Sequence, residues 1–131
     1  MHTDDDLISE ARQVSTQAYA PYSRFRVGAA VRTIGGKIFV GCNVENASYG
    51  LTCCAERNAI FQMIAAGEKQ FECAVVYTPT ATPTAPCGAC RQVLFEFGPK
   101  ARVLAVCDGS ERIDTTVEEL LPGAFGPANL S

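Results

Sequence analysis

Apolar residues at Leu7, Ile8, Ala11, Val14, Ala18 and Tyr19 recur at near-helical intervals, which predicts an amphipathic helix over residues 4–20 that Pro21 stops. Residues 25–33 (FRVGAAVRT) and 37–43 (KIFVGCN) read as strands, and Ile34-Gly35-Gly36 between them is a hairpin signal. Helix formers fill residues 54–66, with Gly67 placed to cap the C-terminus. Residues 71–78 (FECAVVYT) read as a buried strand, and a Pro/Thr-rich loop over 79–86 carries the chain to Cys87. A second central helix spans 87–97, between Pro86 and Gly98-Pro99. Strands at 103–107 and 112–115 flank Asp108-Gly109-Ser110 as a second hairpin. A short helix at 116–121 is capped by Thr115 or Thr116, with Glu118 and Glu119 in its first turn. The order αββαβαββα predicts an α/β fold: one five-stranded mixed sheet between helices, a three-layer α/β/α sandwich. No repeat or linker interrupts it, so residues 1–131 are expected to form a single domain.

Composition narrows the partners. A chain of 131 residues has room for about one hydrophobic core, and 47% hydrophobic residues with a mean hydropathy of +0.07 is ordinary for a soluble protein. The net charge of −3 lacks the basic footprint that a nucleic-acid polymer would require. The opening MHTDDDLISEA does not resemble a secretory signal, and no apolar run approaches the ~18 residues of a membrane span. A cytoplasmic protein with no membrane partner is expected.

Seven cysteines change the picture most. In a reducing compartment, clustered cysteines indicate metal binding or catalysis more often than disulfides. The one histidine, His2, lies in a terminal stretch whose ordering would cost entropy, so any metal site must be mostly thiolate. Pro86-Cys87-x-x-Cys90 at a helix start puts two sulfurs on one face, and Cys54 opens another helix. The strands preceding these two helices, if adjacent, would bring the starts together at one sheet edge. Three thiolates and a water form the pattern of a catalytic zinc. Glu56, two residues beyond Cys54, can then reach the water's proton without ligating the metal. A redox pair at Cys87 and Cys90 would also favour a helix start, but leaves Cys54-x-Glu56 unexplained. A structural zinc module would need a fourth ligand, for which Cys53 is the near candidate. Cys53 is instead expected to point away as a packed thiol, with Cys42, Cys73 and Cys107 as small core residues.

These segments resemble cytidine deaminase. The likeness runs through Tyr22-Ser23-Arg24-Phe25-Arg26-Val27-Gly28-Ala29-Ala30, the stretch GCNVENASYG at 41–50, Cys54-Ala55-Glu56-Arg57, Pro86 to Gln92, and LLPGAFGP at 120–127. It covers nearly the whole chain, at the length of the small homotetrameric class with three cysteine ligands. The resemblance implies zinc-dependent hydrolysis of cytidine and 2′-deoxycytidine to the uracil nucleosides and ammonia. It implies one Zn²⁺ per subunit held by Cys54, Cys87 and Cys90, with Glu56 carrying protons to N3 and to the departing amine. Arg57, otherwise a plain surface residue, would offset the net −1 of three thiolates on a dication by donating to a sulfur, with Gln92 sharing that work.

For substrate binding, Asn43 and Glu45 stand two apart at a strand end and so face one side. The resemblance makes them ribose ligands, Glu45 chiefly at the 3′-hydroxyl, where the plain alternative is a solvated strand end. Phe25 would pack on the nucleoside and the Ala55 backbone would meet the pyrimidine. Ala47, Tyr49 and Phe125 would enter from neighbouring subunits of a homotetramer with shared active sites. The nearest enzymatic alternative is a deaminase of another cytosine derivative, of the blasticidin class or N4-substituted. Asn43-x-Glu45 and Phe125-Gly126-Pro127 favour a plain nucleoside.

Overall fold

Strands β1 (Gly28–Thr33), β2 (Ile38–Cys42), β3 (Phe71–Tyr77), β4 (Arg102–Val106) and β5 (Ile113–Thr116) form one sheet in the order β2-β1-β3-β4-β5. The computed structural model describes residues 2–130. β3 and β4 are parallel, and every other neighbouring pair is antiparallel. Helix α1 (Asp4–Ser15) covers one face. Helices α2 (Ala55–Ala65), α3 (Gly88–Phe97) and the single turn α4 (Val117–Leu120) cover the other. The predicted three-layer α/β/α sandwich is therefore the observed architecture.

Strand alternation divides the core. Ala29, Val31, Ala74, Val76, Val103 and Ala105 face α2 and α3, where they meet Ala59, Ile60, Met63 and Leu94. Ala30, Cys73, Val75, Leu104 and Val106 face α1 and pack on Leu7 and Ala11. Covering both faces explains why β3 and β4 read as nearly continuous apolar runs. Each fully buried Val, Leu or Ile contributes about 1.5–3 kcal/mol.

Two element ends differ from the sequence expectation for identifiable reasons. α1 stops at Ser15, not residue 20. Pro21 disfavours helical backbone at Ala20, and the Tyr19 amide donates to the Asn43 carbonyl at 3.0 Å while Tyr19 oxygen accepts from the Glu45 amide at 2.8 Å. β1 begins at Gly28, not Phe25, because Arg24 adopts a left-handed backbone (φ 60) and residues 25–27 are held by a side chain instead of a strand.

The expected adjacency of the strands before α2 and α3 is also corrected. β1 separates β2 from β3. Because β1 is antiparallel to both, β2 and β3 run in the same direction and release their helices at the same end of the sheet. α2 lies directly on β2 because Gly41 has no side chain: a Cβ there would run into the backbone of Ala55 and Ala59.

Candidate metal centre and active site

Cys54 and Cys87 are the N-cap residues of α2 and α3, both in extended backbone with no capping hydrogen bond from the side chain. Their sulfurs thus sit at the positive dipole ends of the two helices, beside unpaired helix amides. Cys90 follows in the first turn of α3 and is fully buried, while Cys87 is exposed, so the group is closed behind and open in front. The Cys54 and Cys87 sulfurs are 3.7 Å apart, those of Cys87 and Cys90 3.5 Å, and all three lie within 4.8 Å of one another. Two thiolates bound to one tetrahedral zinc at ~2.3 Å stand about 3.8 Å apart, so the three sulfurs fit that ion. Cys53 lies outside the group, paired through its backbone with Val44.

Charge in this site is organised around Cys54. Hydrogen bonding with the Cys90 thiol, aided by Arg57, pulls the Cys54 thiol down to about 5 against the effect of burial. The same interaction and burial push the Cys90 thiol up, so Cys54 carries the charge and Cys90 keeps the proton in the metal-free pair. Arg57 Nη2 donates to Cys54 Sγ at 3.4 Å, and that contact holds the guanidinium firmly protonated. Glu56 is only 6% exposed. Burial pushes its carboxyl up to about 7, with the Cys54 charge adding to the effect, so its proton is labile near neutral pH.

A cavity of about 190 Å³ opens in front of these groups, lined by Phe25, Asn43, Cys54, Ala55, Glu56 and Cys87 together with Thr52, Thr78, Thr84 and Ala85. A larger and more open cleft of about 460 Å³, between α2 and β2, holds none of the three clustered thiols and no carboxylate. Asn43 is buried and uses both ends of its amide on the cavity wall: Oδ1 accepts from the Val27 amide at 2.9 Å and Nδ2 donates to the Phe25 carbonyl at 2.7 Å. Glu45 is buried one layer behind. It accepts from the Tyr22 amide at 3.0 Å, the Ser23 amide at 3.1 Å and the Ser23 hydroxyl.

The remaining expected site residues do not converge within the chain. Ala47, Tyr49 and Phe125 are exposed, Tyr49 at 76% and Phe125 at 60%. Gln92 points to the tail, where Nε2 donates to the Phe125 carbonyl at 2.8 Å in place of the expected sulfur. Sequence reasoning missed Ser23, whose hydroxyl oxygen joins Glu45 to the Phe25 amide, and it missed the wall formed by Thr84 and Ala85. The recurring threonines of the 79–86 loop were the available signal.

An open three-thiol group beside a buried carboxyl, built from two helix starts over a mixed sheet, is the arrangement of a zinc-dependent hydrolytic deaminase. The family model described as the cytidine and deoxycytidylate deaminase zinc-binding region matches residues 1–106. A cytidine deaminase from Sporosarcina psychrophila is 42% identical, over 97% of this chain and 94% of its own length. One from Halalkalibacterium halodurans is 48% identical, over 91% of each. The crystal structure of cytidine deaminase from Burkholderia pseudomallei superposes with a TM-score of 0.91 at 49% identity, covering 95% of this chain and all of the other. The chain belongs to the cytidine deaminase family of hydrolytic deaminases.

Proposed function

We propose that this protein deaminates cytidine and 2′-deoxycytidine in pyrimidine salvage, with one zinc ion per subunit held by Cys54, Cys87 and Cys90. The observation that carries the reading is that the buried Glu56 lines the same cavity as Cys54 and Cys87, with the Cys90 thiol clustered behind them. When bound, zinc supplies a Lewis acid that makes a water molecule acidic enough to attack at neutral pH. Glu56 takes one proton of that water and delivers it to N3 as C4 is attacked. It then takes the second from the new C4 hydroxyl and gives it to the departing amine, so one water enters and one ammonia leaves. Arg57 offsets the negative charge of the thiolates through its contact with Cys54.

Phe25 and the Ala55 backbone flank the pyrimidine, and Asn43 and Glu45 form the ribose end, held in place by their bonds to segment 22–27. The exposure of Tyr49, Leu51, Phe61 and Phe125 supports a homotetramer in which Ala47, Tyr49 and Phe125 complete a neighbour's site. We assign residues 1–131 to one deaminase domain, since β5 and α4, beyond the family match, pair with β4 and pack on the same core. Among the described residues no helix is long and apolar enough to cross a membrane, and seven unpaired cysteines suit a reducing cytoplasm.

Metal analysis combined with an absorbance assay on cytidine tests this reading. Glu56→Gln should keep its zinc and lose about 10²–10⁴-fold in turnover, the usual range for a proton-transfer group. Near-normal turnover by zinc-loaded Glu56→Gln would overturn the proton-transfer role. A zinc-loaded wild type that deaminates only N4-substituted cytidines would move the substrate class.

A further inference from the structure

The 79–86 loop is one wall of the cavity, through Thr84 and Ala85, and it ends on Pro86 immediately before Cys87. It is also attached to the β4–β5 turn at Cys107, Asp108 and Gly109. The Asp108 amide donates to the Thr80 carbonyl at 2.9 Å, and the Cys107 thiol lies 3.6 Å from the Ala81 carbonyl. Gly109 packs so closely on Ala81 that an added Cβ would collide with that carbonyl oxygen. Thr80 Oγ1 donates to the Thr82 carbonyl at 2.6 Å, so in its 2.8 Å contact with Thr78 it must accept, which stiffens the loop along its length.

The turn is in its turn pinned to the opposite layer of the fold. Asp108 Oδ1 accepts from the Tyr77 hydroxyl at 2.5 Å and from Arg12 Nη1 at 3.5 Å. Arg12 Nη2 donates to the Cys107 carbonyl at 2.8 Å, and its guanidinium lies 4.7 Å over the Tyr77 ring. At the loop's other end Arg91 Nε donates to the Pro86 carbonyl at 2.7 Å. A half-exposed ion pair such as Arg12–Asp108 adds little to stability. Its geometric effect is larger, because it fixes the one turn on which the loop rests.

We propose that this brace sets the position of the 79–86 loop, and through it of Cys87, so that Asp108 and Gly109 are positioning residues for the deamination. The inference rests on the function proposed above, but its test separates the two. Zinc-loaded wild type, Gly109→Ala and Asp108→Asn are compared in three measurements: kcat/KM for cytidine, the rate of zinc release to a chelator, and amide hydrogen exchange across residues 80–87 in the metal-free proteins. Gly109→Ala forces the Ala81 carbonyl to move by on the order of 1 Å, a displacement that costs about 10²-fold when it reaches reacting groups. A fall in kcat/KM of about 10–100-fold is expected, with faster zinc release and faster exchange in the loop. Asp108→Asn keeps an acceptor for Tyr77 and loses the ion pair, so it should shift all three readouts in the same direction by less.

A merely structural role would lower the unfolding temperature and leave all three readouts at wild-type values well below it. That result in both variants overturns the brace. If Gly109→Ala does not fold, Asp108→Asn decides alone. If the wild type leaves cytidine intact, the functional reading fails, and zinc release and exchange still decide whether the brace holds Cys87.

Discussion

Asn43→Asp is a one-atom change that separates a structural use of Asn43 from a purely substrate-binding one. In the folded chain its Oδ1 accepts from the Val27 amide at 2.9 Å and its Nδ2 donates to the Phe25 carbonyl at 2.7 Å, at a site only 8% exposed. An ionised carboxylate keeps the first bond and sets an acceptor against an acceptor at the second. Leaving the part-buried Phe25 carbonyl without its donor costs about 1–3 kcal/mol, and burying a carboxylate at position 43 adds to it. Protonation relieves both costs, because the acid form donates to Phe25, so the introduced carboxyl has a folded pKa above its unfolded value of about 3.9.

The native state then binds the proton more tightly than the unfolded chain, and stability falls as pH rises. Asn43→Asp should match wild type at about pH 4 and below, and lose about 2–4 kcal/mol at pH 7 once the folded pKa is passed. Urea unfolding of the metal-free proteins at pH 4 and pH 7 measures this without interference from acid release of zinc. Zinc-loaded Asn43→Asp should also show a raised KM, because segment 25–27 forms the cavity wall. Equal stability of Asn43→Asp and wild type at pH 7 would refute the reasoning, as would a deficit of the same size at both pH values.

Other substitutions test separate parts of the structure. Cys90→Ser should lower zinc content and unfolding temperature together, since metal binding links two helix starts, whereas Cys53→Ser should change neither. Zinc loss from Cys53→Ser would reassign the ligand set. Phe125→Ala should keep full zinc and raise KM about 2–10-fold, the equivalent of about 0.5–1.5 kcal/mol of lost ring stacking. A fully active monomer in sedimentation at assay concentration would remove the basis for that expectation. Burial pushes the Asp4 carboxyl up, but Arg102 at 3.0 Å and Arg32 at 3.3 Å outweigh it and hold the pKa below 3.8. The resulting stability is present above about pH 4 and lost as pH falls through the lower folded value. Asp4→Asn should therefore cost less than about 1 kcal/mol at pH 7 and nothing near pH 2, and a deficit that persists in acid would contradict the ion-pair account.

The helices and strands were legible because each is coded by its own periodicity and its own stop signals. Gly67 ends α2 in left-handed backbone, as a cap should, and the alternation of β3 and β4 divides cleanly between two cores. The thiols and Glu56 were legible for the same local reason: a cysteine that caps a helix and a carboxylate two residues later have a fixed relation wherever the helix goes. The reaction itself was never in the spacing; it came from resemblance, and the family match supports it.

What the sequence determined is thus the set of elements and the placing of the thiols and Glu56 at two helix starts, because both depend on neighbours within one helical turn. The tertiary structure decided the rest. The insertion of β1 between β2 and β3 put the two helix starts at one end of the sheet without making their strands adjacent. Asn43 and Glu45 turned their hydrogen bonds onto segment 22–27, Gln92 went to the Phe125 carbonyl, and Asp108 held a loop 22 or more residues upstream. A hydrogen bond is claimed by whichever donor or acceptor long-range folding delivers, and no local spacing encodes that delivery.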